Sequence, residues 1–110
     1  MKISNLIISA LIIFSFIGCE KEEDPLVRVS NNLAIYTEVE LKKTDGYTKL
    51  FEEVDAGRTT DYAKIPDGFY IITSTDVAVA GSFQASKNKK YTIEINISDK
   101  QIPYIRVTEP

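Results

Sequence analysis

Five sets of side chains in this chain could do chemistry or bind a partner. Glu38 and Glu40 are two apart in an alternating run, so a strand puts both carboxylates on one face. A glycosidase or a cation site could use such a pair, although the solvent side of an amphipathic strand with Lys42 beside it has the same pattern. Glu52 and Glu53 are adjacent, so in a regular strand they point opposite ways and cannot share a substrate. Asp45, Asp55, Asp67 and Asp76 fall at turns or strand ends. Calcium needs about six to eight oxygen ligands. The spacing here matches no calcium loop, and Asp also favours turns because it bonds the local backbone. No metal site is therefore expected. Lys87, Lys89 and Lys90 make a basic tip on an acidic chain, a candidate binding site for an acidic partner or a phosphate-rich glycan. Tyr36, Tyr47, Phe51, Phe69 and Phe83 could include exposed rings that stack on sugars or anchor a protein contact. The absence of Trp weighs against sugars.

The missing residue types narrow the chemistry further. The chain has no His and a single Cys, Cys19. That removes His-containing triads, the usual zinc sets and the commonest proton-transfer side chain near neutral pH. No Gly-rich phosphate loop or dinucleotide fingerprint is present. The expectation is a protein that is not an enzyme, with no catalytic residue and no cofactor. A small hydrolase working with carboxylates alone is the remaining catalytic alternative.

The N-terminus reads as a targeting segment. Lys2 is followed by residues 6–17, a run of 12 that is apolar except for Ser9 and Ser15. A membrane-spanning helix needs about 20 residues, so the run has the length of a signal-peptide core. Phe16-Ile17-Gly18-Cys19 resembles the lipobox cut by the lipoprotein signal peptidase, with Phe16 where Leu is usual. The resemblance implies a leader over 1–18 and a lipid thioether on Cys19, which would attach the mature chain to a membrane. A lone Cys cannot form an internal disulfide, and lipidation would consume the free thiol. Removing Lys2 with the leader leaves 12 basic and 16 acidic residues, a charge of −4. That balance argues against nucleic acid and against docking on anionic lipid head groups.

Residues 19–25 read as the lipid-bearing Cys and an acidic, flexible tether: Glu20 to Asp24 are all charged and Pro25 closes the run. Lys21, Glu22 and Glu23 resemble the acidic export tag with which some Gram-negative bacteria send lipoproteins to the outer face of the outer membrane. The implied location is the outer membrane, facing the cell exterior.

From Leu26 the hydrophobic period is two. Ile35, Thr37, Val39 and Leu41 alternate with Ala34, Tyr36, Glu38 and Glu40, and Tyr91, Ile93, Ile95 and Ile97 with Thr92, Glu94, Asn96 and Ser98. Asp45-Gly46, Asp55-Ala56-Gly57, Pro66-Asp67-Gly68 and Ser86 to Lys89 are turn signals, and Gly81 suggests a bulge. The pattern predicts seven or eight strands, over 26–31, 33–42, 47–54, 59–65, 69–75, 77–85, 90–98 and 102–108, in one all-β domain at 26–110. Turns every 8–12 residues or so point to a sandwich or barrel. The expected core is Val27, Val29, Ile35, Val39, Leu41, Leu50, Tyr62, Ile65, Tyr70, Ile72, Ile93, Ile95, Ile97 and Ile105. Whether Leu50 or Phe51 faces inward stays open. Pro103 should fall at an edge or strand start.

Tyr62-Ala63-Lys64-Ile65-Pro66-Asp67-Gly68-Phe69-Tyr70-Ile71-Ile72 resembles an element of secreted bacterial β-sandwich modules, in which a strand ends in an apolar-Pro-x-Gly turn and an aromatic-rich strand returns. Val27-Arg28-Val29-Ser30-Asn31-Asn32 is similar to the start of short immunoglobulin-like modules of lipoproteins. The resemblance implies an antiparallel β-sandwich of immunoglobulin-like or transthyretin-like type. It fixes a turn geometry and no chemistry. The functional expectation is a non-catalytic, lipid-anchored envelope module that acts in binding or assembly with a protein or glycan partner. The alternative is a structural accessory subunit of an envelope complex.

Overall fold

The computed structural model describes residues 22–74, 77 and 79–110. Cys19 and Lys21 lie outside them, as do Asp76 and the 1–18 leader. The described residues form eight strands: β1 (Leu26–Asn31), β2 (Thr37–Lys43), β3 (Thr48–Val54), β4 (Ala63–Lys64), β5 (Gly68–Ser74), β6 (Ala80–Ala85), β7 (Lys90–Ile97) and β8 (Pro103–Thr108). They make two four-stranded sheets, ordered β8-β7-β1-β4 and β3-β2-β5-β6. The fold is an all-β sandwich, as the alternation predicts.

Every strand pair is antiparallel except β1 with β7, which run parallel from Leu26↔Lys90 to Asn31↔Ile95. The sandwich is thus antiparallel as expected except for this one pair. After β1 the chain crosses to the other sheet, and β7 enters beside β1 from the same end; a parallel pair needs a long connection of that kind.

The period-two pattern supplies the core. Val27 and Val29 of β1 and Tyr91, Ile93 and Ile95 of β7 point inward from one sheet. Val39, Leu41, Phe51, Tyr70, Ile72 and Phe83 meet them from the other. Each fully buried aliphatic side chain contributes about 1.5–3 kcal/mol relative to exposure.

Three expected core residues are exposed: Ile35, Leu50 and Ile97, at 55%, 43% and 44%. Leu50 loses its place because Phe51 takes the inward position. Beyond Phe51 the ladder shifts register: Val39 pairs with Phe51 but Thr37 pairs with Val54. One extra residue is thereby accommodated on β3, and Glu53 takes a φ of 49°, the mark of a β-bulge. Ile35 belongs to the loop before β2 and not to a strand from residue 33, and Ile97 ends β7 beyond the covered core. Tyr62 and Ile105 are half-buried.

Gly81 sits in no bulge, since β5 and β6 pair without a break from Gly68↔Ala85 to Thr73↔Ala80. A Cβ there would come within 3.1 Å of Ile105 Cγ2, so the glycine admits β8 from the facing sheet. Only Ala63–Lys64 of the expected 59–65 strand is a strand; Thr59 adds an isolated bridge to Ser30. Pro103 opens the edge strand β8, as its missing N–H requires.

Candidate functional site

The two ends of the sandwich carry the candidate residues. At the first end, where β1 and β7 begin, the chain enters through Glu22 and Glu23. Three turns meet there: 44–47, Pro66-Asp67 and Ser86–Lys89. Asp45 accepts a bond from the Tyr47 N–H at 3.1 Å and pairs with Lys43 at 3.1 Å; those two contacts hold its carboxyl below the usual range. Gly68 has a φ of 144°, and a Cβ on it would meet Lys43 Cε at 2.9 Å.

Four aromatic rings close this end. Tyr47, Tyr70, Phe83 and Tyr91 follow one another at centroid distances of 6.3, 5.6 and 5.1 Å, running from one sheet to the other. Tyr70 donates its hydroxyl to the Pro66 carbonyl at 2.6 Å, and burial pushes its pKa up to about 12. Tyr91 accepts a bond from the Ser86 N–H at 2.8 Å.

The expected basic tip lies here, and its charges are already engaged. Lys87 Nζ reaches Asp24 at 3.3 Å and Asp67 at 3.5 Å; the Asp24 bond leads in raising its pKa. Lys89 meets Glu109 at 3.4 Å. Lys90 lies over the Tyr62 ring at 5.3 Å, with Arg28 over the same ring at 4.6 Å.

The expected tether is also partly held. Glu23 donates its N–H to Asn88 Oδ1 at 2.9 Å and accepts the Asn88 N–H at 2.8 Å. Pro25 is fully buried and its carbonyl accepts the Ile65 N–H at 3.1 Å. The folded part therefore begins at Glu23 and not at Leu26. The partners of Asp24 and Glu23 lie 63 and 65 residues away, beyond the reach of local pattern. Glu22 is exposed.

The far end is built around Asn31, which is completely buried. Its Nδ2 donates to the Ile35 carbonyl at 2.9 Å and to the Val54 carbonyl at 2.8 Å. Its Oδ1 accepts the Leu33 N–H at 2.9 Å. One side chain thus ties β1, the loop 32–36 and the end of β3 together. Leu33, Ala34 and Ile35 of that loop, with Val77, Ile97 and Pro103, line an apolar cleft of about 240 Å³. Tyr36 and Ile102, next in sequence to cleft residues, are 55% and 59% exposed.

Beside this cleft the bulge turns both Glu52 and Glu53 outward, which corrects the expectation of opposite faces. With Asp55 they line a shallow depression that also holds Arg58, Thr59 and Thr60. Among the described residues neither glutamate nor the Asp55 side chain makes an ion pair.

The remaining candidates are spread apart. Glu38 and Glu40 share the outer face of β2, both half-buried, with Leu50 and Thr73 flanking Glu40 in the ladder. Asp45 and Asp67 belong to the first end and Asp55 to the far end, so the turn aspartates are not gathered. On the outer face of the other sheet, Glu94 accepts from Asn96 at 3.2 Å and from Arg106 Nε at 3.0 Å. Those contacts, the Asn96 bond foremost, hold its carboxyl below the usual range. Of the five aromatics singled out, Tyr36 and Phe69 are exposed, Tyr47 is half-buried, and Phe51 and Phe83 belong to the core.

No protein-family model and no curated protein matches the chain. Among solved structures, it is similar to a protein from Eubacterium rectale determined by NMR, with a TM-score of 0.60 and 12% identity over 80% of this chain and 91% of that one. At that identity the likeness is one of fold: the class defined is a small two-sheet β-sandwich domain.

Proposed function

We propose that this protein is a non-catalytic module of the bacterial cell envelope, tethered through lipid on Cys19 at the outer membrane, facing the exterior, and acting in binding or assembly. One observation supports the binding role. Large apolar side chains are exposed together at the end of the domain opposite the chain entry, and clustered exposed apolar surface is what interaction sites use. The same observation favours assembly onto another protein over a free-standing role. Glycan stacking has weaker support, since the exposed rings Tyr36, Phe69 and Tyr104 belong to a far-end loop and to strands of the two different sheets.

The lipobox resemblance at Phe16–Cys19 supports the anchor, and Lys21, Glu22 and Glu23 support outward export. Two measurements test the reading. Cys19→Ala should abolish labelled fatty-acid incorporation and membrane partitioning; retention of both would end the lipoprotein assignment. Protease added to intact cells should remove a C-terminal tag without lysis. A tag cleaved only after lysis would place the domain in the periplasm.

A further inference from the structure

We propose that the far-end cleft takes a segment of a different protein, one that presents an aliphatic side chain next to basic residues. This deepens the binding-or-assembly reading and rests on it for the position of the anchor. The size of the cleft sets the scale of what enters. At about 240 Å³ it is below the roughly 300–1,000 Å³ of small-molecule sites, and it is lined by Leu33, Ala34, Ile35, Val77, Ile97 and Pro103. It suits one or two aliphatic side chains delivered by a polypeptide.

The neighbouring charge sets the sign. Asn31 Nδ2 bonds both the Ile35 carbonyl at the cleft and the Val54 carbonyl at the bulge, so cleft and bulge are adjacent. Glu52, Glu53 and Asp55 stand against Arg58 in the depression next door. Asp99 and Lys100, both exposed in the following turn, offset each other. Net negative charge beside an apolar cleft repels phosphate head groups and attracts Lys or Arg.

The course of the chain keeps residues 19–22 away from the cleft, and charge opposes a second copy. Both ends of the described chain lie at the opposite end, Glu23 on Asn88 and Glu109 on Lys89. From Cys19 to Glu23 an extended chain spans only about 13 Å. The eight-residue β7 alone is roughly 26 Å long, so residues 19–22 cannot reach the cleft. Two copies docked far end to far end would set Glu52, Glu53 and Asp55 of one copy against the same residues of the other, and like charges repel across such a contact.

The test uses the full chain in cells, with the photo-crosslinker p-benzoylphenylalanine at Ala34 and, as a control, at Lys89. The Ala34 probe should give a protein adduct whose crosslinked peptide, read by mass spectrometry, holds an aliphatic residue next to Lys or Arg. Ile35→Asp with Ile97→Asp should lower the yield about tenfold or more. Glu52→Lys with Glu53→Lys should lower it too and weaken its dependence on salt. An adduct of two copies of this chain, a lipid adduct, an acidic crosslinked peptide, or a yield unmoved by either double substitution would overturn the inference. A protein adduct from Lys89 alone would overturn the site but leave the binding reading standing. No protein adduct from either position would overturn both.

Discussion

The two ends of this sandwich solve the same problem differently. Any sandwich has open ends where the two inner faces run out. The first end is sealed by four aromatic rings, by the Tyr70–Pro66 bond and by Pro25. The far end is held in shape by a polar side chain, Asn31, and leaves Ile35, Tyr36, Ile97 and Ile102 in the open. Sealing serves stability; scaffolding without sealing keeps a surface available. If that contrast is right, substitutions at the far end separate into those that break the scaffold and those that leave folding untouched.

The largest effect should come from Asn31→Ala. It leaves the Leu33 N–H and the Ile35 and Val54 carbonyls without their partner, a loss of about 3 kcal/mol. Urea unfolding would show it as a lower midpoint at unchanged slope. An unchanged midpoint would mean that the far end is not scaffolded by this residue.

Next is Tyr70→Phe, which keeps the ring and removes the bond to Pro66, at about 1 kcal/mol. It also has a pH signature. The folded pKa of about 12 exceeds the ordinary 10.0. Below the ordinary value both states hold the proton and stability is intact. As pH rises from about 10 to about 12 the unfolded chain loses its proton first and stability falls. The phenylalanine variant should show a flatter alkaline limb in the same range.

Smaller still is the stability change from Ile35→Asp with Ile97→Asp, expected within about 0.5 kcal/mol of zero because both residues are already exposed. A large loss there would mean that the far end is a sealed core after all, and the contrast would fail. Smallest is Lys87→Gln. It should leave global stability in place while speeding hydrogen exchange at the Asn88 N–H, which bonds the Glu23 carbonyl. Unchanged exchange would show that Glu23 is held without the ion pair to Asp24.

The sequence made the strands legible because each is short, alternating and closed by turn residues, as at Asp45-Gly46 and Pro66-Asp67-Gly68. It made the middle of the core legible for the same reason: Val39, Leu41, Ile93 and Ile95 are inward by parity and far from either end. Parity fails at the ends. Ile97 has the inward parity of Ile93 and Ile95 but extends past the facing sheet. The bulge on β3 was hidden because Leu50-Phe51 offers two apolar residues in a row, and only packing against β2 chooses between them. The far-end site was therefore hard to see in advance, because Ile35 and Ile97, two of the residues that line it, have the parity of core residues. Asn31 falls at the end of the predicted 26–31 strand; its bonds to Leu33 and Ile35 are local, and the bond to Val54, 23 residues on, depends on segments that the fold brings together.

The bonds between Glu23 and Asn88 bear on how an anchored domain explores its surroundings. With Glu23, Asp24 and Pro25 attached to the fold, three residues, 20–22, separate Cys19 from the body, where the charge pattern implied six. The local concentration of a leashed domain scales roughly as the −3/2 power of leash length, so halving the leash raises it about threefold. On the proposed anchoring through Cys19, the protein would trade reach for encounter frequency, and a partner for its far end would have to come to within about one domain length of the membrane.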